Sequence, residues 1–166
     1  ISAVTPAGSG FAGEPAAAST KRLALVLAYD GRSHPGWQAQ PSGTAVQDVL
    51  EHALAAIAAH PVATICAGRT DAGVHALRQV VHFDTRAVRP DTAWVRGVNA
   101  HLPSTIAVRS VVPVPSDFHA RFGARRRRYR YLLHRAAVRH PLLAGRVGWT
   151  FPAVDVARMR AAPRPL

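Results

Sequence analysis

Gly68-Arg69-Thr70-Asp71-Ala72-Gly73 sets one carboxylate between an arginine and a pair of glycines, in a chain that is otherwise strongly basic. Glycine tolerates positive φ and lets another backbone come close, so the connection around this acid should be sharply shaped. A carboxylate displayed from such a loop between rigid elements is well mounted to react. Arg69, two residues away, supplies a charge that favours an ionised Asp71. An ionised carboxylate can act as a nucleophile. The competing role is a structural turn, closed by the aspartate on its own backbone. Thr-Asp-Ala-Gly is not the Asp-Thr/Ser-Gly order of aspartic proteases, and no second acid nearby in sequence completes a dyad.

A second constellation is Arg125-Arg126-Arg127-Arg128-Tyr129-Arg130-Tyr131. Guanidiniums neutralise phosphates and tyrosine rings stack on bases, the combination that grips single-stranded or extruded nucleotides. On a strand, Tyr129 and Tyr131 would share one face and Arg128 and Arg130 the other. Just before this run, "FHARF" brings His119 and Arg121. The loop "YDGRSHPGWQAQP" holds Tyr29, Arg32, His34, Trp37 and Gln38, with Trp37 expected to be a packing anchor. The histidines number nine, yet none pairs with cysteine at metal-ligand spacing, so no metal is expected. A phosphate-cradling GxxxxGK[ST] loop is absent, which argues against nucleotide hydrolysis.

Apolar periodicity sets out the elements that must position these groups. "RLALVLAY" (22–29), followed by Asp30-Gly31, predicts a buried strand. Thr44 and Gln47 have capping-box spacing. Val46, Val49, Leu50, Ala53, Leu54 and Ile57 then recur at helical intervals up to His60-Pro61. "VATIC" (62–66) and "RQVVHFDT" (78–85) predict two strands joined by the Asp71 loop. Asp91 can cap a helix carrying Trp94, Val95 and Val98, and "TIAVRSVVPV" (105–114) predicts a fourth strand. The expected fold is therefore α+β: a ferredoxin-like βαββαβ domain, an antiparallel sheet with two helices on one face and the other face free. Residues 1–20, rich in Ala, Gly, Ser and Pro, predict a disordered tail. The first domain is expected over 21–115. Residues 116–166 are expected to begin a second, incomplete α+β domain, with an aromatic strand after the arginine run and a helix capped at Asp155.

Bulk composition narrows the function. The 166 residues carry 21 Lys and Arg against 9 Asp and Glu, a net charge of +12. Lys21 is the only lysine, so the charge is carried by arginine, whose planar fork fits phosphate and stacks on bases. This predicts a nucleic-acid or other polyanionic partner with salt-dependent affinity. A single cysteine, Cys66, excludes an internal disulfide framework and favours the cytoplasm. No stretch has the length of a membrane span, and no signal-peptide pattern opens the chain.

Taken together, "YDG…GWQ", "CAGRTDAGVHA", "GVNAHLP", "DFHARF" and "RRYRY" resemble the TruA-type tRNA pseudouridine synthases, from about residue 22 to 160 and in family order. The resemblance implies cofactor-free isomerisation of selected uridines in the anticodon stem and loop of tRNA, by a homodimer. It implies Asp71 as the catalytic aspartate, Arg69 as the group that helps extrude the target nucleotide, and Tyr129 as the residue stacked on the uracil. His119, Arg121, Arg127 and Arg128 are expected to bind the RNA. Asp71 could attack the ribose C1′ or the uracil C6, or assist deprotonation at the ribose. Each needs the carboxylate, so activity should fall on acidification. The alternative is a noncatalytic RNA-binding module that keeps the basic surface without the chemistry.

Overall fold

In "KRLALVLAY" every second side chain is large and apolar, and the strand it forms, β1 (Lys21–Tyr29), buries Leu23, Leu25, Leu27 and Tyr29 on one face. The structure, a computed structural model, describes residues 19–162. The tail expected over 1–20 lies outside them but for Ser19 and Thr20. After β1 come α1 (Val46–Ala58), β2 (Thr64–Cys66), β3 (Ala76–Thr85), α2 (Val98–His101) and β4 (Ile106–Val114). α2 is entered through a wide π-type turn over Ala93–Gly97. The sheet order is β2-β3-β1-β4, with every neighbouring pair antiparallel. This is the α+β unit with βαββαβ element order that the sequence pattern implies. Pro113 is tolerated in β4 because that strand lies at the sheet edge.

The helices bury their apolar stripes on the β1 face. Leu50, Ala53 and Leu54 of α1, with Trp94 and Val98 before and within α2, close the core over Leu25, Leu27, Val81 and Phe83. Each such aliphatic side chain contributes about 1.5–3 kcal/mol by leaving water. Glu51 ties α1 to the short edge strand: its Oε1 accepts from Thr64 N at 2.7 Å and from Thr64 Oγ1 at 2.9 Å.

Several local expectations are corrected. The Thr44/Gln47 capping box does not form. Asp48 Oδ2 instead accepts from Ala45 N and Gln40 N, each at 3.2 Å, placing a full negative charge at the helix start. Gln47 reaches away, accepting from Ala39 N and donating to Glu51 and to Thr64 O. Asp91 does not stand at the cap: the helical turn already includes it, with Ala93 N donating to Pro90 O at 2.9 Å. The second sheet face is covered in part, around His82 and Arg22, while Ile65 and Val112 on it stay exposed. Phe118, His119 and Ala120 lie against it, Ala120 is buried, and its N–H donates to His82 Nδ1 at 3.1 Å. Arg22 fixes this cover by donating to the carbonyls of Ser116 and Phe118 at 2.6 and 2.8 Å while pairing with Asp84 at 2.7 Å.

The chain divides into two compact units between Ala124 and Arg125, so Ser116–Ala124, expected in the second domain, belongs with the first unit. The second unit holds β5 (Leu133–Arg135) and β6 (Gly148–Thr150), a parallel pair, and α3 (Val156–Ala161). Asp155 caps α3 as expected, its carboxylate accepting from Arg158 N at 3.0 Å. The aromatic strand is far shorter than expected. Among the described residues, 125–131 join no ladder, and Leu132 accepts only from Gly148 N, at 2.8 Å, where the β5–β6 pair begins. Among the described residues no helix is long and apolar enough to cross a membrane.

Candidate active site

The loop carrying Asp71 runs from the end of β2 to the start of β3. Ala67 N donates to Val80 O at 2.8 Å, so the ladder extends into its first residue. Gly73, at φ +78, takes the third place of a turn closed by Val74 N donating to Asp71 O at 3.2 Å. A non-glycine residue there would be strained. The turn holds Asp71 by its backbone and leaves its side chain exposed. The structural role anticipated for the turn thus falls to the main chain, and the carboxylate is available to solvent.

A second loop, between β1 and α1, is laid against the first. Trp37 N donates to Thr70 O at 2.9 Å, and Gly73 N donates to His34 O at 3.4 Å. This approach is possible only because of Gly31 and Gly36. A Cβ on Gly31 would stand 2.1 Å from Val74 O, and one on Gly36, at φ +112, 2.8 Å from Thr70 O. The supporting loop is itself pinned. Trp37 is buried against Tyr29, as its packing role required. The buried His34 ring joins Thr44 O at 2.9 Å and Thr105 Oγ1 at 3.0 Å. Asp30 accepts from Arg32 N and its guanidinium and faces His75 Nδ1 at 3.2 Å. The Arg32 hydrogen bonds hold the Asp30 carboxyl far below the usual carboxylate range.

Beneath the loop, Tyr29 Oη and Thr70 Oγ1 are 2.8 Å apart. Gln79, buried on β3, donates from Nε2 to Gly68 O at 2.5 Å and lies 3.5 Å from Tyr29 Oη. Burial pushes the Tyr29 hydroxyl up, so it stays a neutral phenol with a proton to donate.

The expected residues are distributed over both units. Arg69 is exposed on the same loop as Asp71, and no ion pair joins the two among the described residues. Arg69 and Arg121 both lie within electrostatic reach of Cys66, where burial raises the thiol and the two guanidiniums oppose it. His119 stacks on the exposed Phe122 with ring centroids 4.2 Å apart and meets His82 edge-on at 5.0 Å. Burial, with the charge of Arg22 nearby, pulls the His82 imidazole down; its Nδ1 is the acceptor for Ala120 N, so the neutral ring carries its proton on Nε2. Tyr129, Arg127 and Arg128 lie in the second unit and are exposed. Among the described residues no group of three His, Cys, Asp or Glu could hold a metal ion.

Sequence reasoning named Tyr29 only as a loop residue and passed over Gly31, Gly36 and Gln79 as parts of this site. Two glycines five positions apart, between Tyr29 and Trp37, were the available signal, but their partners lie some forty residues further on.

Comparison with known proteins adds independent findings. A family profile described as tRNA pseudouridine synthase matches residues 25–123. The chain is 60% identical over 143 residues to tRNA pseudouridine synthase A of Bordetella petrii, covering 85% of this chain and 53% of that protein. It is 58% identical over 146 residues to tRNA pseudouridine synthase A of Neisseria meningitidis serogroup C, covering 87% and 55%. The protein of that name from Paracidovorax citrulli is 57% identical over 145 residues, covering 87% and 52%. The chain spans about half the length of the curated relatives it matches.

Proposed function

The chain belongs to the tRNA pseudouridine synthase family, and from that premise we propose that it carries the catalytic-aspartate half of an enzyme that isomerises uridine to pseudouridine in the anticodon stem and loop of tRNA. The reaction exchanges the bond from ribose C1′ to uracil N1 for one to a ring carbon; that carbon loses a proton and N1 gains one. A base inside a stem cannot be reached, so the nucleotide is first swung out, at about a few kcal/mol. Arg69 takes the vacated space, Tyr129 supplies a stacking face, and Asp71 meets the sugar or ring as a carboxylate. His119, Arg121, Arg127 and Arg128 hold the RNA. The working enzyme is a cytoplasmic homodimer, and its remaining cleft wall comes from sequence corresponding to the other half of the relatives.

One observation carries this reading: Asp71 is the exposed tip of a loop whose backbone is clamped from both sides. A merely solvated turn needs no such support, whereas a group that must meet a reacting atom gains from being held still. Asp71→Asn, made in the protein as its gene encodes it, should abolish pseudouridine formation on unmodified tRNA and leave tRNA affinity within about twofold, since the side chain keeps its size and only the charge is lost. Measured turnover in the Asn variant would sink the assignment. An unsubstituted protein that binds tRNA and forms no pseudouridine would favour the noncatalytic RNA-binding module.

A further inference from the structure

A hydrogen-bond chain runs under the acid loop from β3 through β1 to Thr70. Gln79 Nε2 has two hydrogens, one committed to Gly68 O at 2.5 Å and one aimed along the longer 3.5 Å approach to Tyr29 Oη. An amide nitrogen can only donate. The tyrosine oxygen therefore accepts from Gln79 and shares a second hydrogen bond with Thr70 Oγ1 at 2.8 Å, in which either hydroxyl can donate. Thr70 is the residue immediately before Asp71, and its carbonyl is also taken, by Trp37 N at 2.9 Å. Thr70 is thus held at two atoms, its side-chain hydroxyl by the network below and its carbonyl by the neighbouring loop. The two anchors of that network sit on neighbouring central strands, β1 and β3, and both are buried.

We propose that Tyr29 and Gln79, through Thr70, are positioning residues for the Asp71 carboxylate. Neither touches the reacting atoms. Their work is to carry the rigidity of the sheet into the one peptide that aims the acid, so that the carboxylate meets its target without searching. The claim rests on the proposed role of Asp71. A displacement of about 1 Å at a reacting group can lower a rate a hundredfold, so loss of a single restraint should be seen in turnover rather than in tRNA binding.

The test uses Tyr29→Phe, Thr70→Val, Thr70→Ser and the double variant Tyr29→Phe/Thr70→Val in the protein as its gene encodes it, with Asp71→Asn and unsubstituted protein as controls. Pseudouridine formation is followed at varied tRNA concentration and thermal unfolding is recorded alongside. Tyr29→Phe and Thr70→Val should each lower kcat about tenfold with KM unchanged, because each removes one end of the same bond. Thr70→Ser, which keeps the oxygen, should restore most of the rate. The double variant should lose about tenfold rather than a hundredfold, the signature of two residues acting as one unit. Retention of full kcat in Tyr29→Phe, a change confined to KM, or independent losses that multiply would each overturn the proposal. If Tyr29→Phe unfolds, the Thr70→Val and Thr70→Ser pair decides: equal activity in both overturns it, recovery in serine supports it. An inactive unsubstituted protein, or an active Asp71→Asn variant, would instead overturn the reading of Asp71 on which this one stands.

Discussion

The two units of this chain use their apolar residues in opposite ways. In the first, Leu25, Leu27, Leu50, Leu54, Val81 and Trp94 are buried between helices and sheet, and the loops that carry chemistry are hung from that core. In the second, not one of the described residues 125–162 is buried, and Tyr131, Leu142, Phe151 and Met159 all face solvent. Local hydrogen bonds shape the second unit: the β5–β6 ladder, the Asp155 cap, and Trp149 Nε1 donating to Ala136 O at 3.1 Å. Hydrogen bonds formed in reach of water each contribute only about 0.5–1.5 kcal/mol net. The difference teaches that a loop can be held to fixed geometry only where something behind it is dry and packed. Asp71 has such backing; the arginine–tyrosine run in the second unit does not within its own unit.

Cavity-forming substitutions should widen this contrast most. Leu54→Ala removes side-chain atoms from a fully buried position and should destabilise the first unit by about 2–5 kcal/mol in denaturant melts. Leu142→Ala, on an exposed side chain, should stay within about 0.5 kcal/mol. Equal effects would erase the distinction between the units.

Glycine substitutions test the same contrast at smaller scale. Gly31→Ala would drive a Cβ to 2.1 Å from the Val74 carbonyl, a backbone atom that cannot yield without moving the acid loop. A loss of roughly 1–3 kcal/mol is expected, together with a fall in the pseudouridine formation proposed for the protein as its gene encodes it. Gly148→Ala in the second unit meets the Tyr131 hydroxyl at 2.5 Å, a nominal clash of the same kind. That tyrosine is exposed and can swing away, so the melting curve should barely change.

Acidification should give the smallest effect. The Arg22 guanidinium holds the folded Asp84 carboxyl below its ordinary range, and Arg32 does the same for Asp30. A carboxyl that is more acidic when folded favours folding above its unfolded value, about 3.9 for aspartate, and loses that contribution as pH falls through the folded one. The first unit should therefore melt at lower temperature as pH drops from about 4 downward. Asp84→Asn should flatten part of that slope and leave the neutral-pH fold intact, the pair being partly exposed and screened.

What the sequence made legible follows from range. β1, β3 and β4 were readable because alternation and turn signals are written within each segment. Asp71 stood out because glycines and an arginine surround it locally. The cap on α1 was misassigned because Thr44, Gln47 and Asp48 all have suitable chemistry, and only the path of residues 39–45 decides which one reaches the free N–H groups. The extended strand expected after Arg128 failed for a related reason: β-forming side chains do not make a strand without a partner. The cover over His82 and the clamps at Gly31 and Gly36 were illegible because each joins segments distant in sequence. The polar residue Gln79, set in an apolar strand, was the visible hint of a buried network, since a buried amide requires partners.

The close approach at Gly31 and Gly36 also bears on transplantation. The motif from Cys66 to Ala76 reads like a cassette, yet half of its shape is supplied from outside it. Grafted alone between two strands of a foreign scaffold, it would bring its acid and leave behind the mould in which that acid was set. A successful graft would have to take residues 29–37 as a second piece, in register with the first, and a library randomised at Gly31 should be as barren as one randomised at Gly73.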